Sequence, residues 1–201
     1  MDDDSGIKVT LIGNSGVGKT CIITRYTDDV FNENSASTIG ANFIEKKINI
    51  GKKEYNLNIW DTAGQEKYQS LGKHFYKDSY IVCLVYDITN QESLDSLKSV
   101  WYPNLQKYGE QYSVLAVVGN KIDLYENVDD LADEEQAKQF AKEINATFIQ
   151  TSAKNGDGID NLFTNLTKKL LENPKFSDLM KGKGLSLEKD ANTIQKKKKF
   201  C

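Results

Sequence analysis

The chain has 201 residues, of which 39% are hydrophobic and 27% charged, which is enough apolar material for one domain with some chain to spare and excludes a wholly disordered protein. Its net charge of −3 hides a split, +5 over residues 175–201 and −8 over residues 1–174; an acidic body excludes the basic face of a nucleic-acid binder, and the basic end reads as a separate tail. Cys21, Cys83 and Cys201 lie far apart and His74 is the one histidine, which excludes a zinc site or a disulfide framework and suits a reducing compartment; no run nears a membrane span, and the acidic Met1–Asp4 opening is expected to carry no secretory signal.

Ile7–Ile12 reads as a short buried strand, interrupted by Gly13–Gly18 and followed by a helix over Lys19–Tyr26. Ala41–Ile50 and Lys53–Trp60 read as two strands joined at Gly51-Lys52, a hairpin. Tyr80–Tyr86 is apolar on both faces, as a central parallel strand must be, and Val114–Val118 repeats the pattern. Thr147–Gln150 is a shorter strand. Helical periodicity covers about Gln91–Lys107, Leu131–Ile144 and Ile159–Leu171, with a kink expected at Pro103. Pro174 is expected to end the last helix, with irregular chain after it. The alternation predicts an α/β fold: a mostly parallel six-stranded sheet with one antiparallel edge strand and helices on both faces. Residues 1–6 are then an acidic extension, 7–173 the domain, and 174–201 a flexible basic tail.

Ligands of such sheets bind where strands end at their carboxyl side. After the first strand, Gly13-Asn14-Ser15-Gly16-Val17-Gly18-Lys19-Thr20 matches G-x-x-x-x-G-K-[ST] in full. Its glycines let main-chain N–H groups at Ser15, Gly16, Val17 and Gly18 wrap a phosphate chain, and the helix adds its positive end at Thr20 and Cys21. Lys19 offers a compact charge and Thr20 a hydroxyl for Mg²⁺. This motif predicts a nucleoside triphosphate without naming the base. After the Val114–Val118 strand comes Gly119-Asn120-Lys121-Ile122-Asp123. A carboxylate at Asp123 can accept from guanine N1–H and the 2-amino group together, a donor pair adenine lacks. Asn120 can tie this loop to the phosphate loop, and the stem of Lys121 can cover a base face. Thr151-Ser152-Ala153-Lys154 follows the next strand and can offer a backbone N–H to the guanine oxygen.

These motifs in this order resemble a small Ras-like GTPase over about residues 6–172. The resemblance extends to Trp60-Asp61-Thr62-Ala63-Gly64-Gln65-Glu66, similar to the family's second switch, and to Thr38 in Ser37-Thr38-Ile39-Gly40, similar to the threonine of its first. It implies Thr20 and Thr38 as Mg²⁺ ligands, Asp61 acting on the metal through water, the Gly64 N–H on the γ-phosphate, Gln65 orienting the attacking water, and Phe31 against the guanine edge. Phosphoryl transfer of this kind needs an arginine beside the developing charge. Arg25, the chain's one arginine, lies in the first helix, so an activating protein is expected to supply it.

Ile39-Gly40-Ala41-Asn42-Phe43, Leu57-Asn58-Ile59-Trp60, Lys67-Tyr68-Gln69-Ser70-Leu71 and Phe75-Tyr76-Lys77-Asp78 resemble the Rab branch. That branch implies an effector surface of Ile39, Phe43, Trp60 and Phe75, whose aromatics otherwise read as half-buried sheet residues. It also implies an exchange factor, effectors, a Rab escort protein and a GDP dissociation inhibitor, with a monomer cycling between cytoplasm and the cytosolic face of an intracellular membrane. Trp101-Tyr102-Pro103 is closer to the Rho branch, and Rab chains usually end in two cysteines where this one has Cys201 alone. No three residues follow Cys201 for a C-a-a-X enzyme, so a single geranylgeranyl group added by the escort route, beside Lys196–Lys199, is the expected anchor. A Rho- or Ras-type signalling switch is the near alternative. A P-loop kinase or other NTPase, and a scaffold that keeps the fold without hydrolysis, are more distant ones.

Overall fold

The computed structural model describes residues 6–33, 41–62, 76–109 and 113–182. β1 (Ile7–Ile12) passes through the glycine-rich turn into α1 (Lys19–Asp28). β2 (Ala41–Ile50) and β3 (Lys53–Thr62) form the expected hairpin, antiparallel from Ala41↔Thr62 to Ile50↔Lys53. β4 (Ile81–Asp87), β5 (Val114–Asn120) and β6 (Thr147–Thr151) complete one sheet in the order β2-β3-β1-β4-β5-β6. Every neighbouring pair except β2–β3 is parallel, so the antiparallel strand lies at the edge as expected.

The two-residue period of a strand splits each central strand between two cores. Val9, Leu11, Ile81, Cys83, Val85, Ala116 and Val118 pack with Ile22 and Ile23 of α1 and with Leu162, Phe163 and Leu166 of α5 (Ile159–Leu171). Ile12, Val82, Leu84, Tyr86 and Val117 face the other way, onto Leu94, Leu97, Trp101, Leu105 and Phe140. Each valine, leucine, isoleucine or phenylalanine among them contributes about 1.5–3 kcal/mol by leaving water. Cys83 is wholly buried, and burial pushes its thiol up to about 12; it is a core residue, as its place in an apolar strand suggests.

The helix expected over Gln91–Lys107 is built in three pieces. α2 (Gln91–Ser96) is capped by Asn90, whose side chain accepts from the Ser93 N–H. A π turn follows over Leu97–Trp101, and then α3 (Tyr102–Tyr108). The Tyr102 N–H reaches back five residues to the Leu97 carbonyl. Pro103 has no N–H to continue the ladder and its ring crowds the preceding turn; the interruption expected there takes the form of this widened turn. α4 (Glu134–Glu143) starts three residues later than its periodicity suggests, because Asp133 caps it by accepting from the Gln136 N–H at 3.0 Å.

Pro174 does end the preceding helix, but the expectation of irregular chain beyond it is corrected over residues 174–182. Pro174 opens a further helix, α6 (Pro174–Gly182). Proline suits a first helical position, Asn173 Oδ1 accepts from the Lys175 N–H at 3.0 Å, and Phe176 is buried edge-on against Tyr80 at 5.0 Å between ring centres. This buried ring ties the segment to the domain. Residues 1–5 and 183–201, with the basic run and Cys201, lie outside the described residues.

Candidate nucleotide site

The carboxyl ends of β1, β5 and β6 open onto one cleft of about 350 Å³. It is lined by Ser15, Gly16, Gly18, Lys19, Thr20 and Cys21 on one side, by Asn120, Lys121, Asp123, Ala153 and Lys154 on the other, and by Phe31 at its edge. The sequence placed all twelve in the site from separate stretches of the chain. Two partners stand behind this lining. Val17 is buried, and Ser152 is wholly buried beneath Asp123.

The phosphate loop has its shape because two of its glycines cannot be replaced. Gly13 and Gly18 adopt positive φ, 146° and 94°. A Cβ on Gly13 would lie 2.1 Å from the Val85 carbonyl oxygen, and one on Gly18 would lie 2.4 Å from Asn120 Nδ2. Gly18 also gives α1 no side-chain cap, so the helix presents N–H groups that an anion can satisfy. Lys19 folds over the loop, donating to the Gly13 carbonyl at 2.7 Å and the Asn14 carbonyl at 2.8 Å. Burial lowers its ammonium to about 8, against the opposing pull of the Asp61 carboxylate.

Thr20 Oγ1 donates to Asp61 Oδ2 at 2.7 Å. A hydroxyl and a carboxylate held together at the mouth of an anion cradle form a hard oxygen set. It fits Mg²⁺, which takes few protein oxygens and completes its shell with water and phosphate.

The opposite end of the cleft is tied together by one side chain. Asn120 Nδ2 donates to the Val17 carbonyl at 2.9 Å, while its Oδ1 accepts from Thr151 Oγ1 at 3.1 Å and from the Ala153 N–H at 3.3 Å. The phosphate loop and the loop after β6 are therefore one rigid frame. Asp123 follows in a short 3₁₀ turn, Ile122–Leu124, with Oδ1 accepting from Ser152 Oγ at 2.6 Å. Lys121 takes a left-handed backbone (φ 73°) and its ammonium pairs with Asp87 Oδ2 at 2.5 Å, which lays its stem along the cleft wall.

Some site residues were not foreseen. Arg25 Nε donates to the Ala153 carbonyl and Nη2 to the Lys154 carbonyl, both at 2.8 Å, and Nη1 pairs with Asp29. It fixes the loop after β6 onto the end of α1 rather than reaching the phosphate loop. Asn32, Glu33, Thr62 and Leu124 also line the cleft. Only the rarity of arginine in the chain pointed to Arg25 beforehand.

Outside the cleft, Phe43 is exposed and its ring lies 5.3 Å from that of Trp60, with Lys8 Nζ 5.2 Å above the indole. Two of the expected effector residues are thus together on the β2–β3 edge. Thr38, Ile39, Gly64, Gln65, Phe75 and Cys201 lie outside the described residues.

The Ras family model matches residues 8–172 of the chain. The chain is 41% identical over 179 residues to Ras-related protein Rab-21 of Canis lupus familiaris, covering 89% of this chain and 79% of that protein. It is equally similar to Rab-21 of Homo sapiens, of which it covers 78%. Ras-related protein Rab-26 of Rattus norvegicus is 39% identical over 168 residues, 83% of this chain and 64% of the relative.

Proposed function

Because the chain belongs to the Ras family, in its Rab branch, we propose that the cleft between the phosphate loop and Asp123 holds a guanine nucleotide by the residues lining it. A Rab protein is a small GTPase of membrane trafficking that binds GTP and GDP with Mg²⁺ and answers to exchange factors, activating proteins and effectors. The observation that carries the assignment of residues is the single cleft with Lys19 and Thr20 at one end and Asp123 at the other, braced by Asn120.

In this reading the loop N–H groups and Lys19 hold the β- and γ-phosphates, and Asp123 accepts both guanine donors. Asn120 and Ser152 keep that carboxylate in register. Lys121 and Phe31 flank the base, with Ala153 and Lys154 beside its oxygen. Thr20, Thr38 and Asp61 would hold Mg²⁺, which when bound neutralises charge on the phosphate oxygens. Gln65 orients the attacking water, and the Gly64 N–H steadies the γ-phosphate. Arg25 is committed to carbonyls of the loop after β6, which leaves the arginine of phosphoryl transfer to an activating protein. Phe43 and Trp60, joined by Ile39 and Phe75, form the surface that effectors read. The finer assignments, a Rab escort protein, a GDP dissociation inhibitor, a monomer that cycles to a cytosolic membrane face and one geranylgeranyl group on Cys201, rest on branch membership and on the basic run beside that cysteine.

Two measurements test this. Competition binding must favour GDP over ADP by orders of magnitude; equal affinities would remove Asp123 from the base site. In single-turnover hydrolysis the wild type should be slow, about 10⁻⁴–10⁻² s⁻¹, and accelerated by an activating protein. Gln65→Leu should bind GTP normally and resist that acceleration, and identical rates for mutant and wild type would remove Gln65 from the mechanism.

A further inference from the structure

The phosphate loop is held from two sides, and one of them is the π turn. Trp101 Nε1 donates to Asn14 Oδ1 at 2.7 Å, and Asn14 Nδ2 donates to Ser96 Oγ at 3.0 Å. Ser96 and Trp101 bracket the π turn over Leu97–Trp101. In a regular α-helix, residues five apart point ~140° away from each other. The five-residue hydrogen bond of a π turn stacks them instead, so a single side chain can reach both. Pro103, just beyond, is accommodated by that same widened turn.

Asn14 also carries the next link. Its main-chain carbonyl accepts from Lys19 Nζ at 2.8 Å, and Lys19 is the cation of the cradle. At the other end of the loop Asn120 holds the Val17 carbonyl. The loop is therefore pinned at residue 14 by the helix after β4 and at residue 17 by the strand end of β5.

We propose that Asn14, Ser96 and Trp101 form a clasp through which the π turn fixes the phosphate loop, making Trp101 and Asn14 positioning residues that set how long a nucleotide stays bound. The inference rests on the guanine-nucleotide reading of the cleft. Trp101 is not among the residues that line the cleft. It acts through Asn14, which orients the carbonyl that Lys19 uses.

The test is the dissociation rate of a fluorescent GDP analogue from the full chain with Mg²⁺. Trp101→Phe keeps a buried ring and removes the donor; Asn14→Ala removes both contacts. Trp101→Phe should speed release about fivefold, as loss of one neutral hydrogen bond implies, and Asn14→Ala, which loses two, by more. Combined, the two should release no faster than Asn14→Ala alone, since they break one link. Trp101→His, which keeps a ring N–H donor toward Asn14, should release more slowly than Trp101→Phe; a role in packing alone predicts that the smaller histidine releases faster. Single-mutant rates within about twofold of wild type, or effects that multiply in the double mutant, would overturn the clasp. Failure of the wild type to bind the analogue at all is a different result: it would overturn the nucleotide reading and the clasp with it.

Discussion

Lys19 is buried with its ammonium on two loop carbonyls, and burial brings it down to about 8. A lysine whose folded value lies below its unfolded one is penalised by folding while protonated. In nucleotide-free protein its penalty is therefore relieved, and stability gained, as pH rises from about 8 toward the ordinary lysine value. Bound phosphate demands the charged form. GDP affinity should fall as pH climbs through about 8, with proton uptake on binding visible by calorimetry in buffers of different ionisation heat; flat affinity and no proton uptake would show that Lys19 does not meet phosphate. At the other end of the cleft, Asp123→Asn replaces a double acceptor with an amide. GDP binding should weaken by about 100-fold, with xanthosine diphosphate gaining in its place, measured by competition. Lys19 and Asp123 were legible in the sequence because their work is done within a contiguous motif. Arg25 and Asn14 were not: their partners lie 128 and 87 positions away, and only the packed sheet brings them together.

At the level of elements, strands and most helices followed from apolar periodicity, and the errors fell where one contact decides. α6 opens on Pro174, a residue that reads as the end of a helix, and Phe176 docks on Tyr80. Phe176→Ala should cost about 3 kcal/mol and lower the thermal midpoint by about 6–12 °C. Loss of helical signal equal to one short helix should accompany it in circular dichroism. An unchanged midpoint would mean the helix is not anchored there. The π turn was equally hidden, since Pro103 announces an interruption without saying whether the chain bends, breaks or widens.

Across the whole molecule, residues from the loop after β1, α1, β3, β5 and the loop after β6 meet at one cleft, so a ligand there touches several separate stretches of the chain at once. Ligand that binds only the folded state at about 1,000 times its dissociation constant adds about 4 kcal/mol. Stripping nucleotide and Mg²⁺ with a chelator should lower the thermal midpoint by about 8–16 °C, and GDP with Mg²⁺ should restore it. Thr20→Asn should weaken that restoration for GTP more than for GDP, because the proposed Mg²⁺ ligand would be lost where GTP carries the larger phosphate charge. A midpoint indifferent to chelator would exclude a resident nucleotide. The fold class was readable at this scale because alternating strands and helices admit few arrangements, and so was Asn120 as the tie to the phosphate loop, made at the Val17 carbonyl; its further bonds to Thr151 and Ala153 depend on the finished fold.

The place of β1 between β3 and β4 also governs how the protein is made. Ile12 pairs with Leu84 and Val9 with Ile59, so the central strand is synthesised long before either neighbour exists. At ordinary translation speeds its apolar residues wait roughly ten seconds outside the ribosome before β4 emerges. During that interval Ile7, Val9, Leu11 and Ile12, all buried in the finished protein, keep an edge open to water or a chaperone, and the nascent chain offers β1 no partner strand until β3 ends at Thr62.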